Sequence, residues 1–344
     1  MADAHTVRSP DRLKTRAALP AGVSRDYDTM LGRSAAVDRV RALRERVLPT
    51  LPTESVSLAS AAGRTLASDV VADADSPPRS HATMDGYAVD ATDDDPLALR
   101  DREVFPEDDP GDLGPGEAVR IFTGSPLPAG ANAVLKQEEA TVVDGRLRGA
   151  SVDSGTYVYE RGSNVSAGEQ LFVAGERLSP KDTLLLGDVG YNEVEVRERL
   201  QVSLLATGTE LHEGRQRDLD SPMLAGLVRS WGHEPSHEGT VPDDPDRVRR
   251  RIADLADESD VVVTTGGTSV GTKDYVVRAL SDLGEIRFHG VRLRPGKPVA
   301  VATLPDHDAV AFAIPGKPVG AHAVTTLVVR PFFAGNRPIS TVSA

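Results

Sequence analysis

The stretch DVVVTTGGTSVGTKDYVVRALSDL, residues 260–283, leaves an apolar strand through small and polar residues and enters a helical pattern at Tyr275. A strand, a glycine-rich turn and a helix in that order turn backbone N–H groups and a helix N-terminus toward an anion. The stretch therefore predicts a phosphate or oxyanion site at a strand end, without naming the ligand. It matches neither a Walker P-loop nor a dinucleotide GxGxxG, so ordinary NTPase and NAD chemistry are disfavoured.

The same alternation surrounds it. LQVSLLATG (200–208) is a buried strand, PMLAGLVRSWG (222–232) a helix and PDRVRRRIADLAD (245–257) another. AVAFAIPG (309–316) is a further strand, leading into VGAHAVTTLVVRPFF (319–333). Strands alternating with helices predict a three-layer parallel α/β domain over residues 198–335, with ligands at the carboxyl ends of its strands. Three such ends carry polar residues: ATGTEL (206–211), TTGGTSVGTKDY and AIPGKPV (313–319).

Upstream the pattern changes. Residues 1–26 are polar and unpatterned and are expected to form a disordered tail, as are residues 336–344. Val37, Val40, Leu43 and Val47 recur at helical spacing and Pro49 stops the helix. Residues 70–155 show short alternating strands with frequent turns, a small barrel-like β-domain. It is expected to be inserted into a mixed α/β entry domain formed by 27–69 and 156–197, because the latter stretch resembles neither neighbour. The fold class is thus α/β multidomain.

Composition narrows the chemistry. The formal charge of −13 argues against nucleic-acid binding and fits a hydrated, salt-tolerant acidic surface. Six lysines accompany 33 arginines, and Lys273, Lys297 and Lys317 fall in the motif regions. No apolar run approaches the ~20 residues that span a bilayer, and the N-terminus lacks a signal-peptide centre, so a cytoplasmic protein with no membrane partner is expected. With no cysteine there is no thiolate nucleophile or ligand. The histidines show no metal-binding spacing, so any metal would be held by carboxylates.

Each candidate residue has a plainer alternative. Glu210 is either a first-turn acid complementing a helix dipole or a cation ligand. Asp274 is either the N-cap of the next helix or a second carboxylate at the same sheet edge. The pentapeptide PGKPV occurs twice, at 295–299 and 315–319. It makes either two rigid turns or, with Arg294, Lys297 and Lys317, a cationic lip. Asp85-Gly86 is a plain turn signal, and Thr123-Gly124 another.

Taken together, MDGYAV (84–89), FTGSPLPAGANAVLKQE (122–138), ATGTEL, VPDD (241–244), GGTSVGTKDY (266–275) and RPGKPVAV (294–301) resemble, in order and spacing, the molybdopterin molybdotransferases. This is the family of bacterial MoeA and the E domain of gephyrin, and the resemblance covers about residues 30–333. It implies an elongated homodimer with shared active sites. It also implies insertion of molybdate or tungstate into adenylated molybdopterin, with release of AMP and help from Mg²⁺. Asp85, Thr123, Glu210, Asp274 and Lys297 would be catalytic, and Glu210, Asp243 and Asp274 would hold the metal. Thr207, Gly208, Gly266, Gly267, Thr268, Ser269 and Gly271 would cradle the pterin and its phosphate, with Arg294, Pro315, Gly316 and Lys317 completing the site. A molybdopterin adenylyltransferase is an implied partner.

Departures from the family pattern are Arg79, His81 and Ala82 before MDGYAV, Asn164 for an Asp, and Asp218-Leu219-Asp220 for Asp-x-Asn. Arg294 stands for a Lys, and Lys317 and Gly320 for an Asn and a Ser. The usual C-terminal β-domain finds no room after VVRPFF, so a short form is expected. These departures support the alternative of a paralogue that binds or scaffolds molybdopterin without turnover. An adenylyltransferase-type enzyme is the third possibility; it would leave MDGYAV and the β-insertion unexplained.

Overall fold

The computed structural model describes residues 30–149, 151–268 and 275–335. The chain divides into two compact units, one of Pro52–Arg197 and the other of Met1–Leu51 with Glu198–Ala344.

The second unit begins with helix α1 (Arg33–Val47), whose Ala36, Val37, Val40 and Leu43 face inward at the expected spacing. Its Arg44 is buried, and Nη1 donates to the carbonyls of Phe332 and Phe333 at 2.7 and 3.1 Å. Those bonds supply donors to carbonyls of the last helix, and the Phe333 carbonyl is also met by His233 Nε2 at 2.9 Å. The helix packs in the core of the unit that holds residues beyond 198.

Within Pro52–Arg197, strand β1 (Thr53–Ser57) leads into the short helix α2 (Leu58–Ala61). A six-stranded sheet follows: β2 (Gly86–Val89), β3 (Leu97–Val104), β4 (Glu117–Ile121), β5 (Ala133–Lys136), β6 (Ala140–Val143) and β7 (Arg146–Gly149). Its spatial order is β5-β2-β4-β3-β7-β6. The two end strands β5 and β6 are consecutive in the chain, joined only by the turn Gln137–Glu139. Three residues reach at most about 11 Å, so the sheet must curl until its edges nearly meet. The alternating strands of 70–155 therefore produce the barrel-like shape expected of them. Helix α3 (Pro180–Asp188) carries a Ser179/Asp182 capping box, and β8 (Glu193–Arg197) pairs antiparallel with β1.

The remaining elements are β9 (Gln201–Thr207), α4 (Thr209–His212), α5 (Asp220–Ser230), β10 (Glu234–Val241), α6 (Pro245–Glu258), β11 (Val261–Thr265), α7 (Tyr275–Leu283), β12 (Glu285–His289), β13 (Ala300–Leu304), β14 (Ala309–Ile314), α8 (Pro318–Val324) and α9 (Arg330–Ala334). The strands form one sheet in the order β10-β9-β11-β14-β13-β12. β10, β9, β11 and β14 run parallel, whereas β12 and β13 are antiparallel additions. The sheet is therefore mixed rather than wholly parallel: the three-residue turn Pro305–His307 is too short for a crossover and makes β13–β14 a hairpin.

Side-chain alternation builds the three layers. Val261, Val263, Val310, Phe312 and Ile314 point into a core shared with α1, α5, α8 and α9. Val262, Ala309, Ala311 and Ala313 point into the opposite core with α6 and α7. The alanine row on that face leaves room for those helices to lie close to the sheet.

Candidate functional site

Because β9, β11 and β14 are parallel neighbours, their carboxyl ends at Thr207, Thr265 and Ile314 lie at one sheet edge. The three following turns converge there on a cavity of about 230 Å³. Glycine is required where the turns meet. A Cβ on Gly266 would stand 2.4 Å from the Thr207 carbonyl oxygen, and one on Gly316 would stand 3.0 Å from the Gly266 Cα. Gly266 also has φ of 84°, which L side chains resist. Thr207 Oγ1 donates to the Thr265 carbonyl at 2.9 Å, tying two of the turns together.

The acidic residues divide by position. In VPDD, Asp244 is the N-cap of α6, accepting the Arg247 amide at 2.8 Å, which leaves Asp243 to line the cavity. Asp243 is held against the first turn: its amide donates to Thr209 Oγ1 at 3.0 Å, and Oδ2 accepts the Thr209 amide at 3.4 Å. Glu210, in the first turn of α4, lines the same cavity. So do Arg217, Asp218 and Asp220 on the segment leading into α5.

Asp218 and Asp220 sit in contrasting environments. Asp218 Oδ1 accepts the amides of Asp220 and Ser221, each at 3.0 Å, and Oδ2 meets His237 Nε2 at 3.2 Å. Burial pushes the Asp218 carboxyl up, but its hydrogen bonds with Ser221, His237 and the Asp220 amide outweigh that and hold it below the usual carboxylate range. Asp220 is pushed upward, first by burial and then by the negative charge of Asp218.

Of the residues that sequence singled out, Thr207, Gly208, Glu210, Asp243, Gly266, Gly267 and Gly316 are brought together around this cavity. Thr268 is buried behind it and, like Arg294, Pro315, Lys297 and Lys317, is not among the lining residues. The two PGKPV segments do meet: Gly296 lies against Gly320 in the first turn of α8, with a Cβ on Gly296 only 3.2 Å from the Gly320 carbonyl oxygen. That approach, with φ of 110°, requires the glycine at 296. A Cβ on Gly320 would meet only ordinary contacts, and nothing in the structure explains the glycine there where the family has a serine. Ser269, Gly271 and Asp274 lie outside the described residues. Pro318, from the second PGKPV, lines the cavity too, as do Gln216 and Arg217, which nothing in their own sequence pattern marked.

Asp85 and Thr123 are placed in the other unit and bonded to each other. Asp85 Oδ1 accepts the Thr123 amide at 2.8 Å and its hydroxyl at 2.7 Å, which holds the Asp85 carboxyl below its ordinary value. Asn164 accepts a hydrogen bond from Tyr159, whose ring packs edge-on to His81, so two family departures share one neighbour.

For Mg²⁺, the described residues hold no cluster of three or more metal-ligating side chains. Glu210 and Asp243 on one cavity wall suit a cation whose shell is completed by water and substrate phosphate, the usual habit of Mg²⁺.

Comparison with known proteins agrees with this architecture. Residues 35–190 match the model for the MoeA N-terminal region (domain I and II), and residues 203–335 that for a probable molybdopterin binding domain. The molybdopterin molybdenumtransferase of Synechococcus elongatus is 30% identical over 328 residues, covering 90% of this chain and 81% of the relative. That of Nostoc is 34% identical over 300 residues, covering 81% and 68%. The crystal structure of a MoeA molybdopterin biosynthesis protein from Pyrococcus horikoshii superposes with a TM-score of 0.72 at 27% identity, over 89% of this chain and 79% of that one. With its motifs, two-unit fold and sheet-edge cavity accounted for together, the chain belongs to the molybdopterin molybdenumtransferase family.

Proposed function

We propose that this protein inserts molybdate, or tungstate, into adenylated molybdopterin and releases AMP. The carrying observation is the convergence of the β9, β11 and β14 turns on one cavity whose described lining includes four carboxylates and no strong nucleophile. Such a site works by positioning and electrostatics.

In this scheme the close-packed glycines let the pterin and phosphate approach the backbone at the strand ends. Glu210 and Asp243, with Asp274 as a third carboxylate, would hold Mg²⁺, which when bound offsets phosphate charge as AMP departs. Arg294, Lys297 and Lys317, on the two turns that meet at Gly296 and Gly320, supply positive charge for the incoming oxyanion. Asp85 and Thr123 would come from the partner subunit of a homodimer and close the same site, their mutual bonds fixing the carboxylate's direction. A molybdopterin adenylyltransferase supplies the substrate.

The test is AMP release from adenylated molybdopterin with Mg²⁺, with and without each oxyanion. Release should require oxyanion, and Glu210→Gln should slow it by about 100-fold or more, the scale for loss of one electrostatic group in a site. Oxyanion-independent release, or an undiminished variant, refutes the assignment. Site sharing has its own check. Mixing inactive Asp85→Asn and Glu210→Gln subunits should restore about a quarter of wild-type activity if two subunits build each site, and none if they do not.

A further inference from the structure

Asp220 opens α5 and lines the cavity, yet it is only 6% exposed, and its Oδ1 has no hydrogen-bond partner among the described residues. An ionised carboxylate in that condition would be a buried charge with nothing to stabilise it. The two backbone amides at this helix start, those of Asp220 and Ser221, go to Asp218, which also faces His237. The neighbours do not favour a second negative charge either. Among the described lining residues, Glu210, Asp218 and Asp243 share the cavity with Asp220, against the guanidinium of Arg217. Elements packed on α5 add Glu234, His237 and Glu238 from β10, and Lys317 and His322 at the start of and within α8.

We propose that Asp220 binds the cavity's ligand directly as the neutral acid, its O–H donating to an acceptor atom of that ligand, a phosphoryl or carbonyl oxygen or a ring nitrogen. The proposal rests on the cavity being the molybdopterin site. A neutral donor is what an acidic cavity needs in order to take an anionic molecule: ionised, Asp220 would repel it, whereas protonated it contributes a bond. Burial and the adjacent Asp218 charge push its carboxyl upward, the direction that favours the acid form. The amide that the family pattern has at this position would also donate, but without a proton to lose. This chain would therefore carry a pH dependence at a position where an amide has none.

Binding then takes up, or requires, one proton on the protein. Above the Asp220 pKa, affinity should fall by about tenfold per pH unit. The experiment is equilibrium binding to the full chain, in metal-free buffer with chelator, of three probes: adenylated molybdopterin, AMP and inorganic phosphate. Each is titrated from acid to mildly alkaline pH, with a denaturation midpoint taken for every variant. The wild type should lose affinity as pH rises. Asp220→Asn should bind about as tightly as the acid form and show a flat profile, and Asp220→Ala should bind weakly throughout. Asp218→Asn, which removes the charge beside Asp220, should move the fall to lower pH and keeps the test alive if the Asp220 variants do not fold. The probe that reproduces the profile identifies which part of the ligand Asp220 meets.

A wild-type profile that persists in Asp220→Asn overturns the proposal while leaving the insertase assignment intact, provided oxyanion-dependent AMP release is seen. Absence of binding by any probe at every pH overturns the Asp220 proposal, and the insertase assignment is then decided separately by AMP release with Mg²⁺.

Discussion

Gly86 shows how one residue can be dictated by a neighbouring strand. A Cβ there would lie 2.1 Å from the Leu135 carbonyl oxygen, so Gly86→Ala must push β2 and β5 apart. The expected cost is about 1–3 kcal/mol, the usual range for overpacking, read as a lower denaturant midpoint with unchanged slope. Asp220 and Asp218 predict opposite pH effects on stability. The raised Asp220 carboxyl keeps its proton in the native state where the unfolded chain, near 3.8, has lost it, so stability from this group declines as pH rises above that value. The lowered Asp218 carboxyl contributes stability that is lost as pH falls below 3.8. Asp220→Asn should therefore gain on the wild type from about pH 4 upward and level off once the native carboxyl ionises, as followed by urea unfolding across pH. His289, buried at 3% exposure, is lowered chiefly by burial, partly offset by the Thr268 backbone, so its contribution falls as pH drops below 6.5.

Helix α1 illustrates the element scale. Its inward stripe could be read from spacing, but its destination could not, because a valine and alanine face fits any apolar partner. Arg44 resolves the choice through two carbonyls near α9 that lie 288 and 289 residues along the chain. Arg44→Met keeps the aliphatic volume and removes the donors. It should destabilise the protein by about 1–3 kcal/mol, the cost of losing a buried donor, with the Phe333 carbonyl still met by His233, and hydrogen exchange should quicken in α1 and α9 first. The antiparallel β13–β14 hairpin was hidden for a related reason: a buried apolar run reads alike in either direction, and only the short turn between the two strands fixes it.

At the scale of the whole molecule, the apolar clusters of Pro52–Arg197 share no residue with those of the other unit. A fragment of residues 52–197 expressed alone should therefore fold and unfold cooperatively by circular dichroism; a fragment lacking a transition would show that its core depends on the rest of the chain. The net charge of −13 should also make the thermal midpoint rise with added KCl as self-repulsion is screened. A midpoint that falls or stays level would rule out repulsion as a limiting factor.

What the sequence determined by itself was local and ordered: strand and helix periods, the glycine turns, the small alternating strands and the collinear family motifs. Those features depend on residues close together in the chain, so composition and spacing suffice to reveal them. Only the tertiary structure decided which of two adjacent aspartates caps a helix and which lines the cavity, and that Thr123 locks onto Asp85. It also decided that Asp218 takes the two backbone amides and leaves Asp220 Oδ1 without a partner among the described residues. Each of these depends on which distant backbone group arrives beside a side chain, and burial and hydrogen bonding then shift that side chain's proton affinity.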